Sequence, residues 1–383
     1  MAGYKVAGVP THGDSPRSLF TPAPTMLDPA RCAVTFPAVM LAISVLLALP
    51  AVAISDAGVA NPAAEARRLQ GEYKRVKTLL ERQEIAAALL GLGPDGGRRL
   101  HAIARGEFLK RLPTYSAAFQ RTAADVLRRR APAGDPTAEI AALRHTIHDV
   151  SKAAELTKEL IEQKSDPALA RLESLLAVTP ADVLAADATL VASREELLVL
   201  AGWAEQAGSL VPEKERGKLP PLPGRAEAIG HLDAADELAA LLATPLSPAD
   251  RQTLIANVPL ARNLDPEEAR GIQRLNQIRV LVGLPAQAID PGLVAACRMH
   301  SEDMCTKDFF AHESPIAGRE TPWKRAALSG TTGSAENIAA GTESGPEAVL
   351  MWWHSPGHHK NLLGDQKRTG LGRYERHWTQ LFG

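Results

Sequence analysis

The chain has 383 residues, more than one compact core usually supports, so we expect two domains or one domain with an extension. Lys and Arg total 43 against 44 Asp and Glu, a net charge of -1, which argues against a nucleic-acid-binding protein. Hydrophobic residues make up 45% but aromatic residues only 4%, which favours Ala- and Leu-rich helices over β-sandwiches or barrels. The 3 cysteines exclude a small disulfide scaffold.

An uncharged stretch near the N-terminus predicts export. Residues 33–53 read AVTFPAVMLAISVLLALPAVA and end in Ala51-Val52-Ala53, the small-x-small pattern that signal peptidase cleaves. The stretch is also long enough to cross a bilayer, at about 1.5 Å per helical residue. A cleaved signal peptide, a retained signal anchor over 33–54 and a buried helix therefore stay open. We expect a secreted, periplasmic or cell-envelope protein. If residues 33–54 are retained, they would anchor it in the membrane.

Residues 61–210 are predicted to be helical almost throughout. Asn61-Pro62 supplies an N-cap followed by proline at the first helical position. The glycines between 91 and 97 are predicted to end the first helix, and Pro113 to break the second.

One stretch of this region has the spacing of a coiled coil. After Asp135-Pro136, apolar and small residues recur in a three-four rhythm flanked by charges. They are Ile140, Leu143, Ile147, Val150, Ala154, Thr157 and Ile161. Such a seam needs a partner helix, so we predict self-association through residues 140–161.

Proline and charge mark the boundaries that follow. Residues 211–225 combine charges with four prolines and two glycines, a composition that disfavours helix and sheet. Ser247 and Asp265 are each followed by Pro and an acid, and are predicted to be helix N-caps. The predicted divisions are 1–32 disordered leader, 33–54 export segment, 61–210 helical region, 211–225 linker, 226–261 helical connector and 262–383 C-terminal domain.

Histidine and tryptophan are concentrated at the C-terminal end of the chain. Six of the eleven histidines and four of the five tryptophans lie between His300 and Gly383. Six motifs follow one another there: LNQIRVLVGLPA, AACRMHSEDM, FFAHESP, SAENIAAG, AVLMWWHSPGHHKNLL and GLGRYERHWTQLFG. In this order and spacing they resemble the bacterial SCP-like branch of the CAP superfamily (cysteine-rich secretory, antigen 5 and pathogenesis-related proteins). The resemblance covers about 115 residues, less than a third of the chain.

The resemblance implies an α-β-α sandwich with a central antiparallel sheet, and hence an α+β fold for the chain. It also implies a cleft lined by two histidines and two acids. The first histidine is His312, the first acid Glu336 and the second histidine His377. At the position of the second acid this chain has Ser355, a departure from the pattern, and His358 of the same segment is the natural replacement.

These residue types suit a metal. Neutral imidazole and carboxylate are ligands for Zn²⁺, and three of them with a water would form an open site. His312, Glu336 and His377, with His358 as a fourth, are the candidate ligands for zinc or another divalent metal. They lie far apart in sequence, so the site exists only if the fold brings them together.

The resemblance favours binding over catalysis. We expect an exported or envelope-associated protein whose cleft binds a lipid, a small ligand, a metal or an extracellular protein partner, with the helical region as spacer or oligomerisation module. The alternative is a peptidase-like extracellular hydrolase, either metal-dependent or using Ser355 as nucleophile with Glu336 as orienter. Cys297 and Cys305 can form a disulfide only if their helix stops near Met304.

Overall fold

The computed structural model describes residues 61–383. The predicted leader (1–32) and export segment (33–54) lie outside the described residues. The helices of the helical region are α1 (Pro62–Tyr73), α2 (Leu79–Gly91), α3 (Gly93–Arg130), α4 (Thr137–Ser151), α5 (Lys158–Leu160), a π-helix (Ile161–Ser165), α6 (Asp166–Leu176), α7 (Pro180–Ala186) and α8 (Ala188–Leu210). Then come α9 (Glu213–Arg216), α10 (Arg225–Ala243) and α11 (Pro248–Ala261).

The local start signals of the helices are confirmed. The Asn61 side chain accepts a hydrogen bond from the Ala64 backbone amide at 3.0 Å, and Ser247 and Asp265 cap their helices in the same way. Such caps satisfy backbone amides that have no partner inside the helix, and this depends only on neighbouring residues.

The predicted breaks in the first half are partly wrong. Helix α2 does end at Gly91, but α3 begins two residues later and contains Gly96 and Gly97. A Cβ on Gly97 would lie 2.7 Å from the Ala207 carbonyl oxygen, so this glycine lets α3 and α8 approach closely. Pro113 also lies inside α3, a single helix of 38 residues.

Tertiary packing explains why Pro113 does not end α3. Proline removes one backbone hydrogen bond and costs a helix about 3 kcal/mol. Phe108, Tyr115 and Phe119, on either side of it, are buried within the helical region. Burial of side chains that size is worth about 1.5–3 kcal/mol each, which offsets the cost.

The seam over residues 140–161 is not one helix, because α4 ends at Ser151. Ile147, Val150 and Ile161 are buried in one hydrophobic cluster that continues into the C-terminal domain. Arg144 Nε donates to the Leu281 carbonyl oxygen at 2.8 Å, and His148 Nε2 lies 2.9 Å from the Val282 carbonyl oxygen. The seam thus has its partner within the chain, while self-association through it stays a prediction.

The C-terminal domain continues with α12 (Pro266–Leu281), β1 (Ala288–Ile289), α13 (Pro291–Thr306), α14 (Pro322–Leu328), β2 (Ala335–Ala340), α15 (Gly345–Trp353), α16 (Pro356–Leu362), β3 (Arg368–Tyr374) and β4 (His377–Phe382). The sheet order is β1-β3-β4-β2. β4 pairs antiparallel with both β2 and β3, and the two-residue strand β1 pairs parallel with β3. The α+β fold is confirmed.

Helices cover both faces of this sheet. A Cβ on Gly370 or Gly372 of β3 would lie 2.3 Å from backbone atoms of α13, so α13 lies directly on that face. Leu371 points to the opposite face, where its side chain reaches Gly271 of α12 and both lie near Gly345 of α15. This is the three-layer arrangement that the resemblance implies.

Helix α13 also decides the state of the two cysteines. It runs without interruption from Pro291 to Thr306, so Cys297 and Cys305 lie eight positions apart on one helix and both are free thiols. The condition for a disulfide, a helix ending near Met304, is therefore not met. Burial raises the pKa of the Cys297 thiol, which keeps it protonated.

Within residues 61–383 no single helix is both long and apolar enough to cross a membrane. The segments Lys158–Ala186 and Ala188–Leu210, bent by 81° to one another, pass the length and composition criteria only as a pair.

Candidate functional site

Glu336 lies at the centre of the candidate site. Its position in β2 puts it on the sheet face that α13 covers, opposite Leu381 of β4. One carboxylate oxygen lies 2.9 Å from His312 Nδ1, and the other accepts from Arg325 Nη2 at 2.7 Å. The carboxylate side chain is 2% exposed and the Arg325 side chain 0%. The site therefore rests on a fully buried ion pair.

Arg325 fixes the loop as well as the carboxylate. Its guanidinium donates to the backbone carbonyl oxygens of His312 and Arg319, each at 2.9 Å. Thr321 caps α14 and so aims Arg325 at this loop. Sequence reasoning did not identify Arg325, and the only signal was a basic residue inside a short, largely apolar helix.

His312 is the exposed member of the cluster. Its side chain is 50% exposed, and its Nδ1 faces the Glu336 carboxylate. Since an ionised carboxylate only accepts hydrogen bonds, the geometry assigns the proton to Nδ1. In the neutral ring, Nε2 then carries a free lone pair.

His358 lies beside His312. Their ring centroids are 6.3 Å apart, with the planes inclined by 55°. Burial lowers the pKa of His358, and the neighbouring charge of His312 lowers it further, so the ring is neutral near pH 7. Asn361, on the same short helix, donates to the Glu336 carbonyl oxygen at 3.2 Å and to the Asn337 side chain at 2.8 Å, which fixes the helix against β2.

His300 lies behind the loop that carries His312. It is 0% exposed, and its Nε2 lies 3.0 Å from the Ala311 carbonyl oxygen. Burial lowers its pKa to about 4, so the ring is neutral above that pH. The ring packs against Phe309 at a centroid distance of 5.8 Å, so His300 is a packing residue.

Among residues 61–383, Ser355 has no base as a hydrogen-bond partner of its side chain. It precedes α16, and its carbonyl oxygen accepts from the His359 amide at 2.7 Å. Within the described part of the chain its hydroxyl makes no hydrogen bond with a histidine, and Pro356 follows it without an amide hydrogen. The arrangement that activates a serine nucleophile is therefore not formed here.

His377 shares the sheet face of Glu336 but lies farther along it. It pairs with Ala340, four residues beyond Glu336 on β2, a distance of about 13 Å at 3.3 Å per residue. Its Nδ1 is buried without a hydrogen-bond partner. In residues 61–383 no three His, Cys, Asp or Glu side chains are grouped as a metal ion would need. The structure thus brings together His312, Glu336 and His358, while His377 stays apart.

A carboxylate from the helical region contacts two residues at the C-terminal end of α15, close to His358. Asp166, the first residue of α6, accepts from Trp353 Nε1 at 2.7 Å and lies 2.9 Å from His354 Nε2. The π-helix directly before it widens the turn from which this carboxylate emerges. Sequence reasoning missed Asp166, because nothing near it in sequence relates it to a residue 187 positions away.

The family comparison agrees with the motifs. Residues 272–381 match the family model described as CAP, the cysteine-rich secretory protein family. These residues form a CAP domain. All of the predicted cleft residues lie inside the matched segment, whereas Asp166 lies outside it.

Three relatives of the CAP domain come from Bacillus. The uncharacterized protein YkwD of Bacillus subtilis strain 168 is 30% identical over 139 residues, which are 36% of this chain and 54% of that protein. The uncharacterized membrane protein YlbC of the same strain is 34% identical over 108 residues, 28% of this chain and 31% of that protein. A 1.5 Å crystal structure of an extracellular SCP-domain protein from Bacillus anthracis strain Ames is 32% identical and covers 36% of this chain and 44% of its own, with a TM-score of 0.29. The chain thus spans about half or less of each relative.

Proposed function

We propose that this chain is an exported or envelope-associated protein whose CAP domain binds a ligand at His312 and His358. The half-exposed imidazole of His312, held by the buried pair of Glu336 and Arg325, carries the proposal. A surface group that buried residues already orient needs little reordering when a ligand arrives, which lowers the entropic cost of binding.

The protonation states suggest the ligand chemistry. In the tautomer with its proton on Nδ1, His312 offers the Nε2 lone pair, and His358, whose pKa burial lowers, adds a second imidazole beside it. Two such rings accept hydrogen bonds from O–H or N–H groups, or coordinate a divalent cation. We therefore favour a lipid or small molecule that carries a hydroxyl or amine, with Zn²⁺ as the simplest probe of the same lone pairs.

The donor set fits only part of a zinc site. A protein zinc site usually has three or four protein ligands, and the described residues bring two imidazoles together here. An ion bound at His312 and His358 would complete its coordination with water or with the ligand itself. Zinc or another divalent metal therefore remains part of the proposal with His312 and His358 as its protein ligands, and without His377, which lies farther along the sheet.

Binding is favoured over hydrolysis by the state of the acidic and nucleophilic groups. Both oxygens of Glu336 are engaged, one by Arg325 and one by His312, so this carboxylate is poorly placed to accept a proton from water. The Ser355 hydroxyl has no histidine partner in the described structure. These contacts favour binding over either form of the hydrolase alternative.

Location and the role of the helical region complete the proposal. The uncharged residues 33–53 support export, and one relative of the CAP domain is named a membrane protein. Asp166 and the shared hydrophobic cluster support a helical region that is docked on the CAP domain and holds the His358 side of the cleft.

Isothermal titration of the full chain with Zn²⁺ tests the site. We expect saturable binding that weakens about tenfold or more in His312→Ala, since one of two imidazole ligands is lost. His145→Ala is the matched control, because His145 is exposed on α4 and pairs with Asp149. Equal affinity of wild type and His312→Ala would contradict a recognition role for His312.

A further inference from the structure

An open pocket lies in the helical region, away from the CAP domain. It forms where α1 ends, where α2 begins and along the middle of α3, and its volume is about 370 Å³. Small-molecule sites have volumes of about 300–1,000 Å³. Four of the six lining residues are basic; the six are Tyr73, Lys74, Arg82, Glu107, Lys110 and Arg111. The pocket is thus basic in a chain whose net charge is -1.

Local sequence signals place these residues around the pocket. Tyr73 is the last residue of α1, and Lys74 follows it directly. The side chain of Thr78 caps the next helix, which puts Arg82 in the first turn of α2. Lys110 lies in the middle of α3, the long helix against which both α1 and α2 pack. Basic side chains from three helices therefore meet at one pocket.

Tyr73 contributes an unpaired hydroxyl to the wall. The residue is only 6% exposed, and its hydroxyl makes no hydrogen bond within residues 61–383. The hydroxyl is not one of the fully enclosed side-chain atoms of the described structure, so a molecule in the pocket can reach it. Burial raises the pKa of Tyr73, so the hydroxyl keeps its proton and can donate a hydrogen bond. A buried ring with an unused donor at the wall of a pocket is the observation that points to a ligand.

Arg82 lies beside this ring with unused donors. Its guanidinium carbon is 5.7 Å from the centroid of the Tyr73 ring, a distance at which a cation is attracted to the ring. In the described part of the chain the guanidinium forms no ion pair and no hydrogen bond. Its Nε is enclosed, so the two terminal Nη groups are the donors that the pocket can reach. Such a pair of donors recognises oxyanions.

The other charges leave the pocket with an excess of positive charge. Lys74 and Lys110 are exposed and form no ion pair among the residues that the structure describes. Arg111, in contrast, pairs with Glu107 at 3.2 Å and also with Glu196. Three unpaired cations therefore stand against one surplus carboxylate charge, which leaves an excess of two positive charges.

A phosphate group matches these donors better than a carboxylate does. A phosphate monoester carries a charge of about −1.5 to −2 at pH 7 and offers three strong acceptor oxygens. These oxygens point in different directions and can accept from donors on three helices at once. A carboxylate carries a single charge and presents its two oxygens in one plane. Both the excess charge and the placement of the donors therefore favour phosphate.

We propose that this pocket binds the phosphate group of a phosphate monoester, with Tyr73 and Arg82 as hydrogen-bond donors and Lys74 and Lys110 as counter-charges. The phosphate is either free or part of a lipid headgroup, and Leu109, 48% exposed beside Lys110, offers a contact to the acyl chains of a lipid. The site lies outside the CAP match of residues 272–381 and does not depend on the proposed cleft.

Isothermal titration of the full chain with inorganic phosphate and with dibutanoyl phosphatidic acid, a water-soluble lipid that carries the same phosphate monoester, tests this site. We expect saturable binding of both, and binding of acetate that is at least about tenfold weaker. Equal affinities identify the phosphate group alone as the ligand, whereas binding of the lipid that is tighter by about tenfold or more identifies a lipid headgroup. His312→Ala is expected to bind both compounds as wild type does.

Two variants test the named contacts. Tyr73→Phe removes only a hydroxyl that has no partner in the described structure, so it is expected to fold normally and to bind phosphate about tenfold more weakly. Lys110→Gln, at an exposed position, is expected to weaken binding to a similar degree. Tyr374→Phe and Lys152→Gln lie outside the pocket and are the matched controls, which should bind normally.

The proposal is overturned if neither compound binds at millimolar concentration or if acetate binds as tightly as phosphate does. It is also overturned if either Tyr73→Phe or Lys110→Gln binds phosphate with wild-type affinity. Loss of binding in His312→Ala would place the phosphate at the CAP cleft instead, and so would contradict the assignment to this pocket.

Discussion

Arg325 organises the candidate site at the scale of single residues. Its side chain is wholly buried and joins three groups: the Glu336 carboxylate and the backbone carbonyls of His312 and Arg319. Burying a guanidinium is costly unless it is paired, so removal of either partner leaves a charge without compensation.

We predict that Arg325→Met lowers the free energy of unfolding by about 3–5 kcal/mol, the usual cost of breaking a buried ion pair. Urea unfolding followed by circular dichroism measures it. Arg129→Met is the matched control, because Arg129 is exposed at the end of α3, and it is expected to change stability by less than about 0.5 kcal/mol. A loss below about 1 kcal/mol for Arg325→Met would show that the pair is not buried as described.

His300 makes stability depend on pH. Burial lowers the pKa of His300 to about 4. The charges of Arg325 and His312 act in the same direction, whereas Glu336 and the hydrogen bond to the Ala311 carbonyl favour the charged ring and only partly offset burial. In the unfolded chain the pKa of His300 is near 6.5, so the unfolded state binds the proton more tightly than the folded state. Stability is therefore full above about pH 6.5 and is lost as the pH falls from 6.5 towards 4.

The expected contribution of His300 is roughly 3 kcal/mol between pH 7 and pH 4, from about 1.4 kcal/mol per pKa unit. Urea unfolding at a series of pH values measures the slope. His300→Gln cannot titrate, so this variant should lose less stability than wild type over the same range. An identical pH slope in both proteins would rule out His300 as the titrating group.

The sequence indicated some of the residues that the structure brings together and missed others, for a physical reason. His312, Glu336 and His358 each lie in a short sequence motif, which can be recognised without knowledge of the fold. Arg325 acts through contacts with residues before and after it, and Asp166 reaches Trp353 across 187 positions. Such contacts depend on the packed fold, which no local pattern reports.

At the scale of elements, local signals predicted where helices begin better than where they end. The caps at Asn61, Ser247 and Asp265 depend on backbone amides within one turn. Pro113 and Gly97 were predicted to interrupt helices, yet the packing of α3 against its neighbours decides both positions. Tertiary burial outweighs a local penalty of a few kcal/mol.

Helix α4 provides the test at this scale. Ile147 is 0% exposed in the cluster shared with the CAP domain, so Ile147→Ala is expected to cost about 2–5 kcal/mol of unfolding free energy, independent of protein concentration. Thermal unfolding at two concentrations measures this, with Ile255→Ala, at a position 54% exposed, as control. A loss that grows on dilution would instead mean that the seam joins two copies.

At the scale of the whole molecule, the helical region and the CAP domain share one hydrophobic cluster. Leu169 and Leu172 of α6 lie in it together with Leu275 of α12 and Trp352 of α15. The composition correctly indicated a largely helical chain, but it held no information on how the two parts dock. The shared cluster means that the cleft edge at His354 depends on residues outside the CAP match.

The most direct test of the account is the imidazole ¹⁵N spectrum of His312 in the full chain, assigned by its loss in His312→Gln. We predict the tautomer with its proton on Nδ1, and a shift of the Nε2 signal when Zn²⁺ is added. A ring protonated on Nε2, or an Nε2 signal that Zn²⁺ leaves unchanged, would contradict the proposed recognition group.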